Sequence, residues 1–89
     1  MKQTLYAIKD IKSGQFGTPY PGTNEAVVIR QLTKEINENT RSSLYSWPED
    51  FQLFKVGEFD TEMGTIEACV EFIRNLGELK GHAERQESN

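Results

Sequence analysis

The chain has 89 residues, 36% of them hydrophobic and 27% charged, and a formal net charge of −4. At this length it forms one domain that withdraws only about 60–65% of its unfolded surface from water, so it can build a single modest core. The composition excludes a disordered polymer, the single Cys69 excludes an intrachain disulfide, and the acidic balance argues against a generic nucleic-acid coat, which works by neutralising phosphates.

The charge is unevenly spread. Residues 1–41 carry six basic side chains (Lys2, Lys9, Lys12, Arg30, Lys34, Arg41) against four acidic ones, whereas residues 42–89 carry four against ten. The molecule is therefore expected to be two-signed. The start "MKQTLYAIKD" has no apolar leader core, and no run approaches the roughly 20 apolar residues of a membrane span. Together with the lone thiol, this reads as a protein of a reducing, intracellular setting, neither secreted nor membrane-embedded.

In chain order, "TLYAIKD" is rich in strand formers and "GQFGTPY" follows it after a turn, so the two read as a hairpin. Its loop, Asp10 to Phe16 ("DIKSGQF"), recurs in Asp60 to Ile66 ("DTEMGTI"): Asp, three residues, Gly, one residue, then an apolar side chain. The Asp carboxylate can accept from backbone just ahead of it, and Gly supplies the left-handed conformation that closes a type I turn with a bulge. Pro19 and Pro21 stop the second strand and mark it as a sheet edge.

Thr23 or Asn24 can cap the helix "NEAVVIRQLTKEINE", where Glu25 suits the positive end of the dipole. At 100° per residue Val28, Ile29, Leu32 and Ile36, with Ala26, fill one side, while Arg30 and Lys34 share another. Arg41 falls within about 40° of that pair if the helix runs on so far. "NENTRSSLYSWPED" is polar and turn-rich, with Leu44 and Trp47 expected to plug the end of the core and a ligand-facing aromatic loop as the alternative.

"FQLFKVGEFD" is apolar on both alternating sets, Phe51, Leu53 and Phe59 against Phe54 and Val56, as in a central strand covered on both faces. With one helix to cover one face, the other face needs a partner, and two protomers stacked about a two-fold axis would supply it. "DTEMG" then turns the chain into "TIEACV", closing a second hairpin. "EFIRNLGELK" reads as a short helix or a final strand, with the balance toward an irregular segment containing a helical turn. The expected domain is residues 1–80, followed by a disordered tail, 81–89.

The fold class is thus α+β: a small, mainly antiparallel four-stranded sheet, hairpin-helix-hairpin, with one helix on one face. Chemistry is sparse within it. The only histidine, His82, sits in the tail, and neither a phosphate loop nor a dinucleotide fingerprint is present. Glu58, Asp60, Glu62 and Glu67 read as a solvated hairpin surface and Cys69 as a small buried hydrophobe, so no enzyme activity, metal or cofactor is expected. What remains is a binding surface: Lys9, Lys12, Arg30, Lys34 and Arg41 for phosphates, with Tyr6, Phe16 and Tyr20 to stack on bases.

The order of features over residues 4 to 68, "LYAIKDIKSGQFGTPY", "NEAVVIRQL" and "WPEDFQLFKVGEFDTEMGTIE", resembles the small nonstructural protein of gokushoviruses, single-stranded DNA bacteriophages of the microvirus family (Microviridae). Pro48, Glu49, Asp50 and Gly57, Glu58, Phe59, Asp60 around the apolar strand carry the resemblance, supported by Asp10, Lys12 and Phe16. It implies a non-enzymatic, DNA-associated viral protein of the bacterial host cytoplasm, contacting single-stranded DNA during genome replication or packaging. The alternative is an adaptor that binds a viral replication protein, a capsid protein or a host factor without touching DNA.

Overall fold

The computed structural model describes residues 1–81, so His82 and nearly all of the expected tail lie outside the described residues. Strand β1 (Lys2–Asp10) leads through the first loop to β2 (Gln15–Phe16) and β3 (Tyr20–Gly22). Helix α1 (Glu25–Glu38), the short helix α2 (Ser43–Ser46) and a 3₁₀ turn (Pro48–Asp50) follow. Strands β4 (Phe51–Asp60) and β5 (Ile66–Asn75) and a second 3₁₀ turn (Leu76–Leu79) complete the fold. All pairings are antiparallel, in the order β2-β1-β4-β5, with β3 on the same edge of β1 as β2.

The two Asp-x-x-x-Gly loops are built alike. Asp10 Oδ1 accepts from the backbone of Lys12 (2.9 Å) and Ser13 (3.3 Å), and Asp60 Oδ1 from that of Glu62 (2.9 Å) and Met63 (3.2 Å). In each loop the glycine N–H donates to the Asp carbonyl at 2.8 Å, with φ of +75° at Gly14 and +71° at Gly64. These are the left-handed conformations the spacing demands.

The expected second strand is split in two. The first piece ends at Phe16, before Pro19, and the chain returns to β1 with Tyr20 opposite Tyr6 and Pro21 opposite Leu5, on the edge where a residue without N–H is tolerated. The sheet therefore has five strands rather than four.

Asn24, not Thr23, caps α1: its Oδ1 accepts from Val27 N at 3.0 Å. Val28, Leu32 and Ile36 turn inward, with Thr33 buried beside them and its hydroxyl donating to the Ile29 carbonyl at 2.7 Å. Ala26, assigned to that face on the helical wheel, is exposed. The core comprises Tyr6, Val28, Leu32, Ile36, Leu44, Leu53, Leu76 and Leu79, with Ile8, Phe51 and Ile73 packed against it.

Two expectations fail at the end of the core. Trp47 is 60% exposed, while the following Pro48 is buried, and Leu76 and Leu79 of the second 3₁₀ turn take the space that Trp47 was expected to fill. That turn approaches Pro48–Asp50 so closely that a Cβ on Gly77 would stand 3.1 Å from Glu49 Cα. Residues 71–75, expected to be irregular, continue β5 instead, because Phe72 and Arg74 find partners in Phe54 and Leu53. The C-terminal segment is held from α1: Asn37 Nδ2 donates to the Leu79 carbonyl at 3.0 Å, and Lys80 Nζ donates to the Ile36 carbonyl at 3.0 Å. Lys80 thereby places a cation at the negative end of the helix dipole.

A bulge changes which side chains share a face. Tyr6 pairs with Lys55 and Leu5 with Gly57, so β4 carries one extra residue, Val56. Strict alternation groups Phe59 with Phe51 and Leu53. Beyond the bulge, Phe59 pairs with Gln3, in the same row of β1 as Ala7, the partner of Phe54. Phe59 thus joins the face away from the helix.

Candidate functional site

β1 alternates regularly, so Tyr6 and Ile8 face the helix while Leu5, Ala7 and Lys9 face away from it. Lys9 stands opposite Phe16, Ala7 opposite Phe54, and Phe54 opposite Phe72. The three rings form one row across the uncovered face. Phe16 and Phe54 meet edge-on at 5.0 Å between centroids, Phe54 and Phe72 at 5.6 Å, both with 73° between planes. This edge-to-face packing is favourable in its own right, and it seals Ala7 beneath the rings at 1% exposure. Lys9 Nζ lies 5.5 Å from the Phe16 centroid, within cation–π range. Phe16, Ile66, Val70 and Phe72 remain exposed on this face.

The residues singled out from sequence divide among several places. Lys9 and Phe16 lie on the open face, and Lys12 is exposed in the adjoining loop. Arg30 and Lys34 are exposed on α1, a turn apart as expected, but on the far side of the sheet. Arg41 does not extend their row, because α1 ends at Glu38 with Asn39 as its C-cap.

Tyr6 is no stacking surface: it is 3% exposed in the core, since β1 turns its even-numbered residues under the helix. Tyr20 packs beside it, with 6.4 Å between ring centroids, and lines a cleft of about 240 Å³ with Ile8, Val28, Gln31, Leu32, Glu35 and Leu44. Burial first, then the Glu35 carboxylate, pushes the Tyr20 phenol above its ordinary pKa of 10.0. Burial raises Tyr6 likewise, with Glu25 adding to the effect.

Phe54 and Phe72 are the members of the row that reasoning from the predicted surface missed. The signal for Phe54 lay in the second apolar set of β4; Phe72 became legible only once β5 was known to run past it. Cys69, expected to be buried, is exposed on the edge strand β5, where its thiol donates to the Glu71 carboxylate at 3.2 Å. That bond favours the protonated thiol and raises its pKa. Among the acidic side chains of the second hairpin, Asp60 holds its own turn, Glu58 pairs with Lys55 at 3.8 Å and Glu62 with the N-terminal amine at 3.2 Å. Among the described residues no cluster of His, Cys, Asp or Glu is placed to hold a metal ion.

These features define a small α+β protein with one covered sheet face and one open, aromatic one. The chain belongs to the Phage ORF5 protein family, whose model matches residues 3–79. No curated protein and no solved structure matches it.

Proposed function

We propose that this phage-family protein is a non-enzymatic, DNA-associated protein that contacts single-stranded DNA during viral genome replication or packaging, as the resemblance to gokushovirus nonstructural proteins implies. The observation that supports it is the row Phe16–Phe54–Phe72 on the open sheet face, with Lys9 at one end. Exposed rings on a sheet offer bases a stacking platform, and nearby ammonium groups hold the backbone. Lys9 and Lys12 are the phosphate contacts in this reading. Arg30 and Lys34 stand on the opposite surface and contribute only through their long-range field.

Anisotropy titrations with labelled single-stranded and duplex DNA at two salt concentrations test this. Single-stranded DNA is expected to bind more tightly, with affinity falling steeply as salt rises. Phe72→Ala, at a half-exposed position, is expected to weaken binding about 10-fold or more, the scale of one lost base stack. Arg30→Glu with Lys34→Glu is expected to change affinity less than about 3-fold at physiological salt, where charges beyond a Debye length are screened. Absence of binding at low salt would instead favour an adaptor. The apolar exposure of Ile66, Val70 and Phe72 beside the acidic second hairpin supports that second reading, and such an adaptor would hold a viral replication or capsid protein, or a host factor, in a salt-insensitive way.

A further inference from the structure

The helix side of the sheet carries a cleft that the open-face reading leaves unused. Its walls are apolar, formed by Ile8, Val28, Leu32 and Leu44 with the Tyr20 ring beside them. Its polar groups, Gln31 and Glu35, stand one helical turn apart on α1. Glu35 is held in place from α2. Ser42 caps that short helix by accepting from Leu44 N at 3.1 Å, and the same hydroxyl donates to Glu35 Oε2 at 2.7 Å. One side chain thus fixes both the carboxylate and the turn that carries Leu44. Among the described residues, Glu35 Oε1 accepts no hydrogen bond and no basic side chain forms an ion pair with Glu35.

Size and charge together select the occupant. At about 240 Å³ the cleft is smaller than the roughly 300–1,000 Å³ of a small-molecule site, so it fits one side chain rather than a cofactor. A wholly apolar side chain would cover the Glu35 carboxylate without giving it a partner, which costs free energy. A phosphate or a second carboxylate would be repelled. A cation on an apolar stem suits both halves of the cleft, because the stem lies along the walls while the head meets Glu35. Arginine suits it better than lysine: the planar guanidinium can donate to Glu35 and to the Gln31 side-chain oxygen at once, and it stacks on aromatic faces such as that of Tyr20. Burial and then the Glu35 carboxylate raise the Tyr20 phenol, which places that negative charge within reach of the ring.

We propose that this cleft binds one arginine side chain from a basic segment of a partner protein, with its stem against Val28, Leu32 and Leu44 and its guanidinium on Glu35. The site lies across the sheet from the aromatic row and operates whether or not the open face binds DNA.

A ¹⁵N-resolved NMR titration of the full chain at low salt, without DNA, with the capped tripeptide acetyl-Gly-Arg-Gly-amide tests it. Perturbations are expected at Tyr20, Gln31, Glu35, Ser42 and Leu44, with a dissociation constant on the order of 1 mM for a single side chain. The same peptide with citrulline, which keeps the shape and loses the charge, is expected to bind at least about 10-fold more weakly, the scale of one charge-assisted hydrogen bond. Glu35→Gln is expected to weaken the arginine peptide by a similar factor while keeping the Ser42 bond, since the amide oxygen still accepts; circular dichroism checks that the variant is folded. Equal binding of the citrulline peptide, or a folded Glu35→Gln protein that binds as well as the original, would overturn the proposal. Perturbations centred on Glu58, Glu62 and Glu67 of the second hairpin, or none in the cleft, would overturn the site, and equal binding of the lysine peptide would overturn the choice of arginine.

Discussion

Gly14 and Gly64 show how much one residue can reveal when its role is local. The carboxylate of Asp10 or Asp60, the spacing and the positive φ belong to a single loop, so they were readable from seven residues of sequence. Replacing either glycine by Val is expected to destabilise the protein by about 1 kcal/mol or more, because a β-branched residue resists the left-handed region. Chemical denaturation with an unchanged m-value checks this. Gly22 is demanding for a non-local reason: a Cβ there would collide with the Val28 side chain and stand 2.8 Å from the Tyr6 ring. Nothing in "PYPGT" announces that approach, since Val28 arrives on a later element. Tyr20 has a pH consequence. Its folded pKa is raised above 10.0, so the neutral phenol's contribution is complete below pH 10 and is lost as pH climbs through the higher folded value. Tyr20→Phe is expected to flatten the fall in stability above pH 10, measured by urea midpoints across that range.

Helix α1 was legible because amphipathic period, cap and acidic first turn agree, and its inward residues Val28, Leu32 and Ile36 were named correctly. Residues 71–80 were legible only in part: the helical turn expected there is the 3₁₀ turn Leu76–Leu79, whereas the strand half was expected to be irregular. "EFIRNLGELK" has no decisive period, and its outcome depends on β4 offering Phe54 and Leu53 as partners to the strand half and on α1 holding Leu79 and Lys80. The Trp47 expectation failed at the same junction: size suggested burial, but the C-terminal turn supplies two leucines that fill the space. Leu76→Ala is therefore expected to cost about 2–5 kcal/mol, as for a fully buried leucine, whereas Trp47→Ala should stay within about 0.5 kcal/mol. Thermal denaturation of the two variants separates these outcomes. The Val56 bulge was equally hidden, because alternation in sequence carries no mark of one inserted residue, and it decides that Phe59 joins Phe54 on the open face.

At the scale of the molecule, the fold sorts its features onto two sides of one sheet. The helix and the C-terminal turn cover one side and enclose the core, while the other keeps an aromatic row whose rings hold each other in place. The sequence placed five basic residues and three aromatics in one surface; strand alternation sends Tyr6 inward and separates Arg30 and Lys34 from Lys9 and Phe16 by the thickness of the sheet and helix. The proposed contact with single-stranded DNA accordingly moves from the helix to the open face. The most direct test is a ¹⁵N-resolved NMR titration of the full chain with a short single-stranded oligonucleotide at low salt. Perturbations concentrated at Lys9, Lys12, Phe16, Phe54 and Phe72, with α1 little changed around Arg30 and Lys34, are the expected result. Perturbations centred on α1, or none at all, would contradict the account.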